Sequence, residues 1–136
     1  MYKKIIVTLA LDHGYGKQAI ETALKLKAEG GEIVAIHISE PVQETFSAYA
    51  QEDYIDHVYH SAMKQLKGRL LDHSDIEAVV LSGRVGQTIV DYAKEINADL
   101  IVMGSHKPDL ADYFLGSTAS RVVRHAPCSV HVLRKP

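Results

Sequence analysis

The sequence predicts an α/β fold in which helices cover both faces of an open, parallel β-sheet. Two observations favour this class. Short apolar runs rich in Val, Ile and Leu alternate along the chain with segments whose apolar residues recur at helical spacing. The first run, KKIIVTLAL at residues 3–11, is apolar almost throughout, which is typical of a strand buried on both faces. Regular strand–helix alternation indicates parallel strands joined by right-handed crossovers.

The first helix follows a Gly-rich turn, DHGYG, and has the sequence KQAIETALKLKAEG. Gly30-Gly31 is predicted to terminate it. Its inward-facing residues, at helical spacing, are Ala19, Ile20, Ala23 and Leu24. The second strand is predicted at residues 32–39 and is ended by Pro41. The polar stretch from there to about Asp53 is predicted to be an excursion or a mobile loop.

A long amphipathic helix is predicted next. Its apolar face consists of Ile55, Val58, Tyr59, Met63, Leu66 and Leu70. The third strand, at residues 76–82, leads into a turn and a further helix. The inward-facing residues of that helix are Ile89, Tyr92, Ala93 and Ile96. The fourth strand is predicted at 99–104, a short helix ends at about His125, and the final strand covers 128–134.

Length and composition favour a single globular domain over residues 1–136, with 46% apolar and 24% charged residues. The net charge of −2 gives no basic surface for nucleic acid or an anionic membrane, and the apolar runs are too short to cross a bilayer. The lone cysteine, Cys128, cannot form an internal disulfide, and the N-terminal apolar stretch lacks a small-residue cleavage site. We therefore expect a soluble, cytoplasmic protein.

Function is expected at the carboxyl ends of the strands. Open parallel sheets bind ligands there, at the point where the strand order reverses direction. In this sequence the carboxyl ends are Leu9 to Gly14, His37 to Pro41, Ser82 to Gly86 and Met103 to Lys107.

The loop GSHKPDLADYFLGST, residues 104–118, ends in a helix start that could bind phosphate. The first amides of a helix lack internal partners and attract anions. Gly116 would let a bulky anion approach the backbone, and the hydroxyls of Ser117 and Thr118 could donate to phosphate oxygens. The alternative is that Ser117 is only the N-cap of its helix.

The other end of the same loop follows the fourth strand. Gly104 lies where a side chain would block a ligand over the strand ends, and His106 and Lys107 could reach the same anion. The alternative is that Gly104 is only a tight exit from the strand. Because both halves lie at the correct ends of one βα unit, we favour a phosphate-binding loop.

This loop resembles the phosphate-binding signature of the universal stress protein family, G-x2-G-x9-G-[ST]. The resemblance covers essentially the whole chain: KKIIVTLAL resembles the family's first strand, IVAIHISEP its second, and ADLIVMGSH its fourth. It implies a five-stranded, adenine nucleotide alpha-hydrolase-like sheet in the order 3-2-1-4-5. It also implies ATP or another adenine nucleotide as ligand, which Mg²⁺ could accompany. The resemblance further implies a homodimer through the last strand, residues 128–134, whose edge would otherwise be exposed.

The loop departs from the family signature at one point. It is one residue shorter, and Lys107 stands where the second glycine is expected. It is similar instead to a subgroup of small bacterial members that carry Ser-His-[Arg/Lys]-Pro-Asp. Lys107 could replace backbone donors with a point charge, whereas Pro108 has no N–H to give.

The nucleoside end departs as well. Family members that bind ATP usually carry Asp at the end of the first strand, where this chain has Ala10, with Thr8 where a proline is common. Asp12 lies two residues further on and is either a displaced ribose or adenine contact or a cap for the first helix. Ile38 corresponds to the residue that packs on the adenine, and Met103 to the one beneath the ribose and phosphate loop. Either is also an ordinary core position.

Other residues receive structural interpretations. His57 and His60 are expected on a solvated helix face, because no Cys or carboxylate completes a metal site. Cys128 is expected to be a buried structural thiol. Arg84, at the end of the third strand, is expected to lie on the surface at the sheet edge.

Three functions follow from these residues. The one we favour is a dimeric binding and regulatory module that holds an adenine nucleotide with little or no turnover. A second is an interaction scaffold that lost nucleotide affinity through Ala10 and the shortened loop. A third is a weak ATP hydrolase in which His106 positions water. The sequence has no Walker lysine pattern, GxSxG motif or paired catalytic carboxylates.

Overall fold

The computed structural model describes residues 1–11, 16–40, 48–105 and 115–134, with the backbone alone for residues 48–51. Over these residues the chain forms alternating strands and helices. They are β1 (Tyr2–Thr8), α1 (Gly16–Leu26), β2 (Lys27–Ser39), α2 (Ala48–Arg69), β3 (Glu77–Ser82), α3 (Val85–Ile96), β4 (Leu100–Gly104), α4 (Ser117–His125) and β5 (Ser129–Leu133).

The strands form one parallel sheet in the order β3-β2-β1-β4-β5, which confirms the predicted order 3-2-1-4-5. β1 lies at the centre, with Val7 opposite Ala35 of β2 on one side and Val102 of β4 on the other. β1 and β4 are neighbours in the sheet but distant in sequence. The strand order therefore reverses at the β1–β4 boundary, which is where an open sheet forms a crevice at its carboxyl edge.

Two apolar clusters hold helices on the two faces of this sheet. Successive residues of β1 alternate between them, as a pleated strand requires. Cluster 1, which α1 and α2 cover, includes Ile5, Val7, Leu9, Ile20, Ala23, Ala35, Leu66, Leu70 and Val102. Cluster 2, which α3 and α4 cover, includes Ile6, Val34, Ile36, Ile38, Ile89, Val90, Ile101, Met103, Ala119 and Val122. Burying each large aliphatic side chain stabilises the fold by about 1.5–3 kcal/mol.

The prediction that Gly30-Gly31 terminates α1 was wrong. The helix ends at Leu26, and the glycines lie within β2, where the register with β1 is irregular between Tyr2 and Lys4. Gly30 has φ +78°, and a Cβ at Gly31 would lie 3.0 Å from the carbonyl oxygen of Tyr2. The two glycines therefore allow a bulge and a close approach of two backbones. Glycine is favoured in such places for the same conformational freedom that favours it at a helix end.

The predicted inward face of α2 was right only for its second half. Leu66 and Leu70 are buried, but Ile55 is 59% exposed and Tyr59 43% exposed. The 22-residue helix is about 33 Å long, and residues 52–60 are exposed apart from the half-buried Val58, so only its second half packs against cluster 1.

The polar excursion predicted after β2 is shorter than expected. The chain is helical from Ala48, so Asp53 belongs to α2, while residues 41–47 lie outside the described part of the chain. None of the helices in the described ranges is long and apolar enough to cross a bilayer.

Contacts with α3 position α4, the helix that begins at the end of the 104–118 loop. Ala119 and Val122 are buried in cluster 2. Arg121 Nη2 donates to Gln87 Oε1 at 2.7 Å. A Cβ at Gly86 would lie 3.0 Å from Arg121 Cδ, so the glycine lets the two helices approach closely. The start of α4 is thus fixed by packing on both the sheet and α3.

Candidate functional site

The site is built at the carboxyl edge of the sheet, where β1 and β4 lie side by side. Their register pairs Val7 with Val102, one residue before Thr8 ends β1 and two residues before Gly104 ends β4. Thr8 is half-buried and ends β1, and Gly104 is half-buried and ends β4. The predicted strand-end residues of these two strands therefore flank the crevice at the reversal of strand order.

The two described ends of the 104–118 loop are joined by one hydrogen bond. The amide of Gly116 donates to the carbonyl oxygen of Ser105 at 2.8 Å. Ser105 is fully buried, and its own amide donates to the carbonyl oxygen of Leu133 in β5 at 2.8 Å. The end of β4, the start of α4 and the end of β5 are therefore tied together. His106 and Lys107, predicted anion contacts, lie outside the described residues.

The start of α4 has the features of an anion-binding helix terminus. Gly116 is the N-cap, with φ −63° and ψ 162°, and no side chain of the described residues caps the helix. Its carbonyl accepts the amide of Ser120 at 2.9 Å, the first bond of the helix. The alternative in which Ser117 is the N-cap was wrong, because Ser117 is already the first helical residue. The amides of Ser117, Thr118 and Ala119 have no partner within the helix at its first turn.

The electrostatics of α4 also suit an anion. No acidic residue lies in its first turn, and Arg124 and His125 lie in its last turn, where they complement the negative end of the helix dipole. Ser117 is exposed and Thr118 half-buried, so at least the first hydroxyl faces solvent at this edge. The terminus can therefore donate amide and hydroxyl hydrogen bonds to a phosphate group.

The residues after β1 leave the β-ladder but keep its alternation. Leu9 is buried in cluster 1, and Leu11 packs against the same cluster, so the intervening Ala10 lies on the opposite side. Ala10 is half-buried. Asp12, whose role was left open between a ligand contact and a cap, lies outside the described residues.

Ile38 and Met103, the predicted packing partners of a nucleoside, are both core residues. They belong to cluster 2, on the face of the sheet covered by α3 and α4, and they are 8% and 3% exposed. Because their side chains are almost completely buried, a ligand could contact mainly their backbone atoms and the small exposed part of each side chain.

Two residues that the sequence did not single out hold the end of β1. His37 Nδ1 lies 2.9 Å from the carbonyl oxygen of Leu9, and the Arg69 guanidinium donates to the carbonyl oxygen of Leu11. The position of His37 at the carboxyl end of β2 was a usable signal. No such signal marks Arg69 in the sequence, because Arg69 lies 58 residues from Leu11 and contacts it only as a result of where α2 packs.

The remaining predicted residues lie away from the β1–β4 boundary. Arg84 is exposed and is the N-cap residue of α3, as its surface interpretation required. His57 and His60 are exposed on α2, which confirms the solvated face. Within the described ranges, no three His, Cys, Asp or Glu side chains are grouped so that they could hold a metal ion.

Cys128 was predicted to be a buried structural thiol and is half-buried against cluster 2. Burial raises the pKa of its thiol, and the nearby carboxylate of Asp99 raises it further. Both effects disfavour the thiolate, so Cys128 is a poor nucleophile.

The sequence model of the universal stress protein family matches residues 1–134. Universal stress protein A homolog 2 of Coxiella burnetii is 32% identical over 98% of this chain and 95% of that protein. Universal stress protein G of Salmonella typhimurium is 30% identical over 98% of this chain and all of that protein.

Solved structures share the fold. Universal stress protein UspA from Lactobacillus plantarum gives a TM-score of 0.74 at 24% identity, with 98% of each chain covered. An Archaeoglobus fulgidus universal stress protein in complex with dAMP gives 0.61 at 19% identity, with 98% of each chain covered. An Arabidopsis thaliana family member with AMP bound gives 0.57 at 16% identity, covering 98% of this chain and 92% of that one. With the family match over residues 1–134, these findings show that the chain belongs to the universal stress protein family.

Proposed function

We propose that this protein binds an adenine nucleotide, ATP or AMP, at the β1–β4 boundary and acts as a cytoplasmic regulatory module with little or no catalysis. The observation that carries the proposal is the start of α4, which is bonded through Gly116 to the end of β4 and whose first amides have no side-chain cap among the described residues. Such a terminus provides several donors for one phosphate group. The bound dAMP and AMP in the Archaeoglobus and Arabidopsis proteins support a ligand of the same class here.

The described residues fit a nucleotide better at its phosphate end than at its nucleoside end. Ser117, Thr118 and the amides of the first turn of α4 would bind the phosphate, with Gly104 leaving room over β4. Ala10 offers no side-chain acceptor for the ribose, so backbone groups near Thr8, Ile38 and Met103 would make the nucleoside contacts. The proposed site also includes Asp12, His106, Lys107 and Gly116, as the resemblance to the universal stress protein family implies. Mg²⁺ could accompany the phosphates.

The substitution Ser117→Glu tests the phosphate end. A carboxylate at the first helical position is favourable for α4 itself, because it complements the helix dipole, so folding is preserved. About 5 Å from a phosphate, it costs about 1–3 kcal/mol of binding, depending on solvent screening, which weakens AMP binding about fivefold to 150-fold. Titration calorimetry with AMP measures the change.

The neutral variant Ser117→Gln is the matched control, since it adds the same bulk without the charge. It is expected to retain most of the wild-type affinity. Equal affinities for AMP in Ser117→Glu and Ser117→Gln would remove the start of α4 from the phosphate site.

A second function, an interaction scaffold without nucleotide, is favoured by one specific observation. The amide of Gly116, a donor that a phosphate could use, is already bonded to Ser105. Together with Ala10, this lowers the number of groups left for a ligand. A protein that fails to bind AMP, ADP and ATP at millimolar concentration would favour the scaffold.

Both functions include a homodimer through residues 128–134. β5 is paired with β4 along one edge and with no other strand among the described residues. Val123 of the neighbouring α4 is 52% exposed. A second copy would cover an edge that is otherwise a site of aggregation. Light scattering on the eluted protein is expected to give twice the chain mass, and a monomer at micromolar concentration would contradict the dimer.

A further inference from the structure

We propose, on the basis of the nucleotide site proposed above, that His37 and Arg69 are positioning residues that hold the backbone of residues 9–11 for the nucleoside half of the ligand. Neither residue belongs to the phosphate-binding end at α4. Both act on the segment that carries Ala10.

His37 holds this segment where it leaves the sheet. β1 ends at Thr8, and the amide of Leu9 still donates to the carbonyl oxygen of Ile36 at 2.9 Å. The carbonyl oxygen of Leu9 lies 2.9 Å from His37 Nδ1. Because a carbonyl oxygen can only accept, Nδ1 must carry the proton in this contact. The two bonds together fix both backbone polar groups of Leu9.

Arg69 holds the same segment from the last turn of α2. Its Nη2 donates to the carbonyl oxygen of Leu11, and its Nη1 lies 3.0 Å from the position that a Cβ on Gly16 would take. The guanidinium therefore bonds to one described end of the connection between β1 and α1 and lies next to the other. A planar fork of five donors suits this bridging role better than the single ammonium of lysine.

The consequence concerns Ala10, which lies between the two held carbonyls. Leu9 and Leu11 both pack against cluster 1. By the alternation of side chains along an extended chain, we infer that Ala10 faces the other side of the sheet, where Ile38 and Met103 lie. A chain that lacks a carboxylate at position 10 must contact the nucleoside there through backbone and small side-chain groups. Holding that backbone in advance lowers the entropic cost of binding.

The experiment compares three probes: AMP, adenosine and inorganic pyrophosphate. His37→Leu removes the donor, whereas His37→Asn places an amide nitrogen near the position of Nδ1. Arg69→Met removes the donor and charge, whereas Arg69→Lys keeps the charge and one donor. We expect His37→Leu and Arg69→Met each to weaken AMP and adenosine binding roughly fivefold to tenfold, the effect of losing one such bond. Pyrophosphate binding is expected to stay unchanged, and His37→Asn is expected to restore most of the affinity for adenosine.

Two measurements on the ligand-free protein test the contacts themselves. Long-range ¹⁵N–¹H spectra are expected to show a proton on Nδ1 of neutral His37. Amide hydrogen exchange at residues 9–11 is expected to be faster in His37→Leu and Arg69→Met than in the wild type, and no faster in His37→Asn.

Three results would overturn the inference, and they can be told apart. A neutral His37 protonated on Nε2 would show that the contact with Leu9 is wrong. Unchanged adenosine affinity in both His37→Leu and Arg69→Met, with a wild type that binds AMP, would leave the nucleotide site intact and remove the two residues from it. A wild type that binds neither AMP nor adenosine would overturn the proposed function and this inference together.

Discussion

Asp99 joins the start of β1 to the start of β4, and its removal should lower stability without affecting ligand binding. Its carboxylate accepts the amide of Lys3 on Oδ2 at 2.8 Å and the amide of Lys4 on Oδ1 at 2.9 Å. Its own amide donates to the carbonyl oxygen of Lys4 at 2.9 Å. These bonds lie at the amino edge of the two strands, opposite the proposed site.

The size of this loss in stability depends on how well water can replace the carboxylate as hydrogen-bond acceptor. Hydrogen bonds to a charged group contribute about 1.5–3 kcal/mol each when shielded. The bond to Lys3 is exposed, whereas the bond to Lys4 is partly buried, so mainly the bond to Lys4 contributes to stability. We therefore expect Asp99→Ala to lower the free energy of unfolding by about 2 kcal/mol. With about 2.1 cal/mol/K of unfolding entropy per residue, this corresponds to a fall in Tm of about 7 °C.

Urea unfolding followed by circular dichroism measures the change. Asp99→Asn keeps one acceptor oxygen and should lose about half as much. Asp91→Ala is the control, because that exposed carboxylate accepts one bond from Gln87 Nε2 at 2.8 Å and should cost less than about 0.5 kcal/mol. If Asp99→Ala costs no more than Asp91→Ala, the assigned role of Asp99 in joining β1 to β4 is wrong.

Two further predictions concern the core and the thiol. Leu66 is fully buried in cluster 1, whereas Ile55 on the same helix is 59% exposed. Leu66→Ala should therefore lower the free energy of unfolding by about 3 kcal/mol and Ile55→Ala by less than about 0.5 kcal/mol. Similar losses in the two variants would contradict the assigned faces of α2. Burial and the carboxylate of Asp99 raise the pKa of Cys128, so the folded state favours the protonated thiol. The protonated thiol therefore stabilises the fold at pH values below the ordinary thiol pKa, and this stabilisation is lost as the pH rises through the pKa of Cys128 in the folded protein. Labelling with a disulfide reagent at pH 8 should therefore be slower in the native protein than in the urea-unfolded chain, with the ratio narrowing as pH rises; a pH-independent ratio would exclude the pKa effect.

The sequence was sufficient for the order and type of the elements because strand and helix periods are local properties. It could not distinguish a helix end from a bulge at Gly30-Gly31, because glycine serves both by the same freedom of φ. Periodicity placed Ile55 and Leu66 on one face of α2 but could not show where the sheet stops covering the helix. That limit depends on the lengths and packing of several elements.

The candidate site shows the same division. Gly104, Gly116 and Ser117 were predicted as site residues from local spacing, and the structure brings both ends of their loop together through the Gly116–Ser105 bond. The contact between Arg69 and Leu11 joins residues 58 positions apart and has no local signature. Only the placement of α2 against β1 makes it visible.

The central claim is that the loop between β4 and α4 holds the phosphate of an adenine nucleotide. Mass spectrometry of the small molecules released by denaturing the freshly purified protein tests it most directly, with calorimetric titration of AMP and ATP on any empty protein. We predict near-stoichiometric ATP, ADP or AMP in the released fraction, or saturable binding by the emptied protein. A protein that is purified empty and binds neither AMP nor ATP would contradict the claim and leave the dimeric scaffold as the function.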